Sequence, residues 1–529
     1  PMGQAAAGTL APPEELLFGP PRADDGAAAA AGLVPGGPPP PGRWLRLRAW
    51  AALSYEEKEA LPEEPEDQLR CGYPSSVRRF RCDALQGGAP GASSTTDSAE
   101  AVEASGLTER IETLVAGVEA ADWRRGRSQD ASAGVAAVVA TPFAAYRSAW
   151  QLARLAAAAA ARPASEGRLW EALGVAAACV GHFEEARAAL DAAKRLQAGS
   201  FHSEPLRAGL ARAVAEADDA LAEVLFFPRS VGHIENVGSQ TKLAKGLQVF
   251  DGVVQLHPFG SSEGPAHAGF RLYLCRQHVN GAAPPPPVVV FFHGNAEYVR
   301  EYDDHAAPFA RMPCSLLVWD FRGYGWSSGA PRATALLTDA EVMGAAVRPI
   351  LAAVGVASSP PPPLVLFGRS LGGLCASQLA AAWPRRWSGV VFESASAGEL
   401  LGAEKAVPKV AAMGSGKEGW AETFHSVLFG SAQRMRQMAA DGGRMPVLIL
   451  HGKKDQIVPF SEAQAMASAL EAVGISVRLV PQDGGHNGLM QNWPEEYFGP
   501  VTEFLSGPVM EEWRRTNQAK AGEEAKGSE

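Results

Sequence analysis

The sequence has little of what marks several protein classes. Its 529 residues include six cysteines (Cys71, Cys82, Cys179, Cys275, Cys314 and Cys375), scattered and without a C-x-x-C pair. That spacing argues against a zinc site and a dense disulfide framework, and predicts reduced thiols in an intracellular, cytoplasmic setting. Basic residues are also few: 48 Lys and Arg face 58 Asp and Glu, a formal charge of −10. With no basic stripe, a nucleic-acid partner is not expected. No window reaches roughly 18 uninterrupted apolar residues, so no transmembrane helix is expected. Pro1 precedes Met2, and Met2-Gly3-Gln4-Ala5-Ala6-Ala7 has the outline of a myristoylation start with Ala7 where Ser or Thr is needed.

What the chain does have is one stretch that organises the rest. Val365-Leu366-Phe367-Gly368-Arg369-Ser370-Leu371-Gly372-Gly373 reads as an apolar strand entering a tight turn with a serine at its apex. Pro360 to Pro363 isolate the run on one side. On the other, Leu371 to Trp383 has the small and apolar residues of a buried helix stopped by Pro384. Gly368 and Gly372 stand two residues either side of the serine, where a side chain would press on neighbouring backbone. The turn also sets the hydroxyl at a helix N-terminus, where free N–H groups favour developing negative charge. A lone G-x-S-x-G is a weak signal, and a serine capping a helix reads the same locally, so other motifs must decide.

Three more occur in order. They are Phe292-His293-Gly294-Asn295, then Asp320-Phe321-Arg322-Gly323-Tyr324-Gly325-Trp326-Ser327, then His451-Gly452-Lys453-Lys454-Asp455-Gln456-Ile457-Val458-Pro459. With the elbow, this set resembles the α/β-hydrolase superfamily over about residues 246–507, and within it the serine-aminopeptidase-like branch. The resemblance implies an α/β fold with a mostly parallel sheet and a short helical lid, and a serine hydrolase that uses no metal and no cofactor. It implies Ser370 as nucleophile, His486 in Asp483-Gly484-Gly485-His486-Asn487 as base, and Asp455 as acid. Glu393, directly after Val390-Val391-Phe392, is the alternative acid. The backbone N–H groups of Leu371 and Asn295 are the implied oxyanion hole. His293, Asp320, Arg322, Gly323 and Gly325 are expected to hold the adjoining loop, and Arg369 to pair with a neighbouring carboxylate.

The remaining chain divides by composition. Residues 1–42 are rich in Ala, Gly and Pro and are expected to be disordered. Residues 43–106 combine a helical stretch with a linker, and 107–230 turn helical and alanine-rich. There Trp170, Leu173, Gly174, Gly181, Phe183, Ala186 and Leu190 resemble a single tetratricopeptide unit at about 167–198, with poor matches one period before and after. Residues 231–508 alternate strand and helix runs, the signature of a parallel sheet covered on both faces. Among them Glu297 to Arg311 is expected to be mostly helix. In the lid, at 398–444, Trp420, Phe424, Leu428, Phe429, Met435 and Met438 are apolar candidates for facing the pocket. The charged tail, 509–529, is expected to be solvated. Two functions follow. One is hydrolysis of an ester, thioester or amide of a small acyl substrate. The other is an interaction scaffold, in which the helical region binds a protein partner and the hydrolase fold is not catalytic.

Overall fold

The computed structural model describes residues 107–120, 141–158, 166–196, a few positions between 203 and 210, 226–228, and 248–527 apart from several short stretches and 399–426. The expectations for 1–42 and 43–106, and the lid residues Trp420 and Phe424, lie outside the described residues. Four helices come first: α1 (Leu107–Ala120), α2 (Pro142–Ala158), α3 (Glu166–Cys179) and α4 (Phe183–Leu196). Thr141 caps α2, its hydroxyl accepting the Ala144 N–H at 3.2 Å, and proline at the first helical position has no N–H to leave unpaired. In α4, Glu184 and Glu185 sit in the first turn and Lys194 and Arg195 in the last, matching the helix dipole. Helix α3 packs against α4. Leu173, Phe183 and Leu190 are buried between them, and a Cβ on Gly174 would lie 2.6 Å from Leu190 Cγ. The hairpin is covered by α1 and α2, which pack on α3.

A single eight-stranded sheet follows. Its strands are β1 (Gln248–Gln255), β2 (His267–Leu274), β3 (Val288–Phe292), β4 (Ser315–Trp319), β5 (Leu364–Arg369), β6 (Gly389–Glu393), β7 (Val447–Gly452) and β8 (Val477–Gln482). The spatial order is β1-β2-β4-β3-β5-β6-β7-β8; β1 runs antiparallel to β2 and β2 to β4, and the other pairs are parallel. Side chains alternate between two cores, as a pleated strand requires. In β3, Val288, Val290 and Phe292 join one cluster while Val289 and Phe291 join the other. Helices α5 (Leu336–Ala353), α6 (Gly372–Ala382), α7 (Ser431–Ala440) and α8 (Phe460–Glu471) supply the first cluster, and α9 (Pro494–Ser506) supplies part of the second.

The first core does not stop at the hydrolase-like half. Ile111, Leu173, Phe183 and Leu190 belong to the same buried cluster as Leu337, Leu379 and Leu366. A polar node crosses this boundary as well. His182 points Nε2 at Glu341 Oε1 of α5 at 2.7 Å, and Nδ1 at Tyr146 Oη (2.9 Å) and Glu185 Oε2 (3.2 Å). Gln378 of α6 donates to Glu341 Oε1 at 2.7 Å and to the Val180 carbonyl at 2.8 Å. Burial by itself would lower the His182 pKa, but the field of Glu341 and the hydrogen bonds to both carboxylates push it up to about 10. Further along, Thr141 Oγ and Arg147 both donate to Asp441, just after α7.

Three expectations are met with changes. The stretch expected to be mostly helix at 297–311 opens with a 3-10 turn at Val299–Tyr302 and continues with helical Asp303, Pro308 and Phe309, while 304–307 and 310–311 lie outside the described residues; Asp320 accepts the Val299 N–H, and Glu297, just before the turn, is bonded to Gly294 and Tyr302. The charged tail is ordered as a helix, α10 (Pro508–Gly527), with Glu511, Arg514 and Arg515 exposed. It is anchored by buried Val509 and Met510 and by the Trp513 indole, which donates to the Pro361 carbonyl. Leu428, Phe429, Met435 and Met438 are buried in the first core with α6 rather than lining an open pocket. The boundary between the helices and the sheet domain can be tested directly. Replacing His182 by Ala leaves Glu341 and Glu185 buried without their cation. Urea unfolding is expected to show a loss of about 3–5 kcal/mol. Because the folded-state pKa is raised, the stabilisation from His182 is present in full below pH 6.5 and is lost as pH rises through about 10. The gap between wild type and His182→Ala should therefore narrow over that window.

Candidate active site

The turn after β5 is strained in the way its sequence implies. Ser370 has φ 48°, in the left-handed region that costs a non-glycine residue of order 1–3 kcal/mol. Its N–H donates to the Glu393 carbonyl at 2.8 Å, and its carbonyl accepts from Gly373 N–H at 3.0 Å as α6 begins. The flanking glycines are sterically required. A Cβ on Gly372 would stand 2.1 Å from the Phe292 carbonyl oxygen, and one on Gly368 would stand 2.6 Å from the Gly372 carbonyl. The end of β3 therefore lies against the start of α6, which brings the loop of His293, Gly294 and Asn295 beside the elbow.

Two further strand ends converge there. From the loop after β8, His486 Nε2 lies 3.0 Å from Ser370 Oγ, and its Nδ1 lies 2.8 Å from Asp455 Oδ2, in the loop after β7. The two loops are tied by backbone bonds, Lys453 N–H to the Gln482 carbonyl and Lys454 N–H to the Gly484 carbonyl, both 2.8 Å. Asp455 Oδ1 accepts the Ile457 and Val458 N–H groups at 2.9 and 2.8 Å, which fixes the carboxylate plane. Burial would raise the Asp455 pKa; hydrogen bonds from His451 and His486 and the Val458 N–H outweigh it and hold the carboxyl well below its ordinary range. Ser370, His486 and Asp455 thus form one hydrogen-bonded chain. Glu393 is not part of it: Oε2 accepts the Tyr497 hydroxyl at 2.6 Å and Oε1 faces Arg369 at 3.2 Å.

Behind the serine lies a cluster of charge. The Arg369 guanidinium contacts Glu393 Oε1, Glu297 Oε1 and, at 2.6 Å, Asn487 Oδ1. Glu297 Oε2 accepts the Gly294 N–H at 2.8 Å and the Tyr302 hydroxyl at 2.7 Å. The expected pairing of Arg369 with a carboxylate is therefore present twice. The part played by Glu297, Tyr302, Asn487 and Tyr497 is not apparent in the sequence; the available signals were the adjacency of Asn487 to His486 and of Glu297 to the H-G-N motif. His293 is fully buried, its Nδ1 2.7 Å from the Gly294 carbonyl and Nε2 3.3 Å from Asp320. Arg322 makes a two-pronged pair with Asp339 at 2.6 and 2.8 Å, so it holds the loop onto α5. The Leu371 N–H, directly after Ser370, donates to no other described residue. Among the described residues, no three His, Cys, Asp or Glu side chains converge as metal ligands.

An open sheet of this order, an antiparallel first pair, and a strained serine turn at the centre are the parts of one known architecture. The C-terminal half carries an α/β-hydrolase domain. Residues 283–416 match the family model of serine aminopeptidase, S33, and residues 361–507 match that of the prolyl oligopeptidase family. The chain is 27% identical over 221 residues to alpha/beta hydrolase domain-containing protein 17C of Xenopus tropicalis, covering 41% of this chain and 60% of that protein. It is 25% identical over 223 residues to the human 17B protein, covering 42% and 66%. The chain thus spans about 60% of the length of the first of these relatives. Among solved structures, it resembles an esterase of Pyrococcus furiosus at 17% identity and a TM-score of 0.38, covering 54% of this chain and 97% of that one. An acylaminoacyl peptidase of Pyrococcus horikoshii aligns at 14% identity and a TM-score of 0.35, covering 50% and 41%.

The α/β-hydrolase domain makes a steric prediction at its elbow. Gly372→Ala drives a Cβ into the backbone of β3 and is expected to cost about 1–3 kcal/mol or more in thermal or urea unfolding. Gly485→Ala, where a Cβ would meet nothing nearer than 3.9 Å, should stay within about 0.5 kcal/mol of wild type. Equal losses at the two sites would contradict this reading of the turn.

Proposed function

We propose that this protein is a serine hydrolase that cleaves a small carboxylic ester, thioester or amide through an acyl-enzyme on Ser370, His486 and Asp455. The observation that carries the reading is the continuous chain from Ser370 Oγ to His486 Nε2 at 3.0 Å and from His486 Nδ1 to Asp455 Oδ2 at 2.8 Å. Asp455 is kept ionised by its surroundings, so it orients the imidazole with Nδ1 protonated and leaves Nε2 to accept the serine proton. Ser370 Oγ then attacks the carbonyl carbon, and the developing oxyanion is met by the Leu371 and Asn295 N–H groups. His486 returns the proton to the leaving group as the C–O, C–S or C–N bond breaks. Water, deprotonated by the same imidazole, hydrolyses the acyl-enzyme and restores Ser370.

Esters and thioesters are the favoured substrates, because they are the easier acyl groups to cleave and no peptide-binding feature stands out in the sequence. A cytoplasmic location belongs to the same reading; no helix among the described residues is long and apolar enough to cross a membrane. The scaffold reading gains no support. Val180, His182 and Thr141 of the helical region are engaged by the hydrolase domain, which gives that region an intramolecular role.

The test is labelling of the purified chain by a fluorophosphonate probe, followed by turnover of p-nitrophenyl esters of increasing chain length. Labelling is expected in wild type and absent in Ser370→Ala and His486→Ala. Asp455→Asn is expected to fold and to lose about 10⁴-fold in kcat, because the imidazole takes the wrong tautomer. Folded wild type that neither labels nor turns over any ester would overturn the proposal.

A further inference from the structure

The segment Phe226-Phe227-Pro228 lies between the helical region and β1 in sequence, yet it reaches the loop that follows β3. Phe226 is buried in the core shared with the helices. Next to it, the Phe227 backbone N–H donates to Asn295 Oδ1 at 3.0 Å and to Tyr324 Oη at 2.9 Å. Tyr324 in turn donates its hydroxyl to the same Asn295 oxygen at 2.7 Å, and the Ala296 N–H adds a third contact at 3.0 Å. Burial pushes the Tyr324 phenol well above its ordinary range, which keeps it a donor. One carboxamide oxygen therefore collects donors from three parts of the chain, and the side chain cannot rotate without breaking them.

This matters because of the backbone that the side chain belongs to. Ala296 has φ 63°, a left-handed conformation that a non-glycine residue keeps only where its surroundings over-determine it. On the other side of Asn295, the Gly294 N–H is fixed on Glu297 Oε2. The Asn295 amide is thus held between a pinned Gly294 and a strained Ala296, and its own side chain is a further restraint. Oxyanion donors act only when aimed before the charge develops.

We propose that the Phe227 main chain, together with the Tyr324 hydroxyl, is a positioning element for the oxyanion loop, so that the helical region bears on catalysis through the segment that leaves it. The inference rests on Asn295 supplying an oxyanion donor, as in the function proposed above. Neither Phe227 nor Tyr324 touches the reacting atoms in this account; both act through Asn295.

Two full-length variants test it: Phe227→Pro, which removes the N–H, and Tyr324→Phe, which removes the hydroxyl. For each, kcat and KM on a p-nitrophenyl ester are measured per fluorophosphonate-titrated site, with hydrogen exchange of the peptide spanning 293–299. The expected result is a fall in kcat on the order of tenfold with KM within about twofold, and faster exchange in that peptide. The double variant should lose little more than the worse single, because both act on one oxygen. Should Phe227→Pro fail to fold, Tyr324→Phe carries the test alone. Unchanged kcat per active site, or a loss explained wholly by fewer folded molecules, would overturn the proposal. If wild type itself neither labels nor turns over, the hydrolase reading falls; unchanged exchange at 293–299 in the variants would then overturn the positioning role independently.

Discussion

Arg369 occupies a position where a cation is costly to bury, and much of the site is arranged around that cost. A guanidinium removed from water needs carboxylates and hydrogen-bond acceptors in fixed places. It finds Glu393 at the end of β6, Glu297 in the loop after β3 and Asn487 beside His486. Each partner belongs to a different loop of the site. Satisfying one buried charge thus draws together the serine turn, the loop after β3 and the loop after β8, and fixes Gly294 through the second oxygen of Glu297. Gly294 itself has no room for a side chain, since a Cβ there would press on the Arg369 guanidinium. Glu393, available in principle as a triad acid, is held in this cluster instead.

A second buried charge works in the same manner at the other end of α6. His182 lies between Glu341 and Glu185, and Gln378 links Glu341 to the Val180 carbonyl. Helix α6 therefore begins beside Ser370 and, two turns on, is bonded to the helical region. With Leu173, Phe183, Leu337 and Leu379 in one apolar cluster, the four helices pack over α5 and α6. The hairpin of α3 and α4 thus buries its apolar side chains in a core that it shares with α5 and α6.

Local chemistry made much of this legible. The apolar runs at 288–292, 315–319, 389–392 and 447–450 mark strands buried on both faces, and the strands occur there with small shifts at their ends. The glycines of the elbow could be read because backbone sterics act within a few residues. Less legible was the start of the stretch after Asn295, where Glu297 is bonded to Gly294 and Tyr302 and the first turn, Val299–Tyr302, is 3-10. The tail likewise looked too charged to pack, yet Val509 and Met510 are buried at its start and the Trp513 indole donates to the Pro361 carbonyl, while Glu511, Arg514 and Arg515 stay exposed.

The sequence by itself determined the strands of the sheet and the strained serine turn, because these follow from periodicity and from sterics between near neighbours; Asp455 and His486 came into view only through the family resemblance of their motifs. Only the tertiary structure decided that His486 faces Asp455 rather than Glu393, that Arg369 joins three loops, and that Phe227 meets Asn295. Those contacts link residues 118 positions apart for Arg369 and Asn487, and 68 apart for Phe227 and Asn295. No local pattern specifies such partners; they are fixed by where the packed core brings the strand ends together.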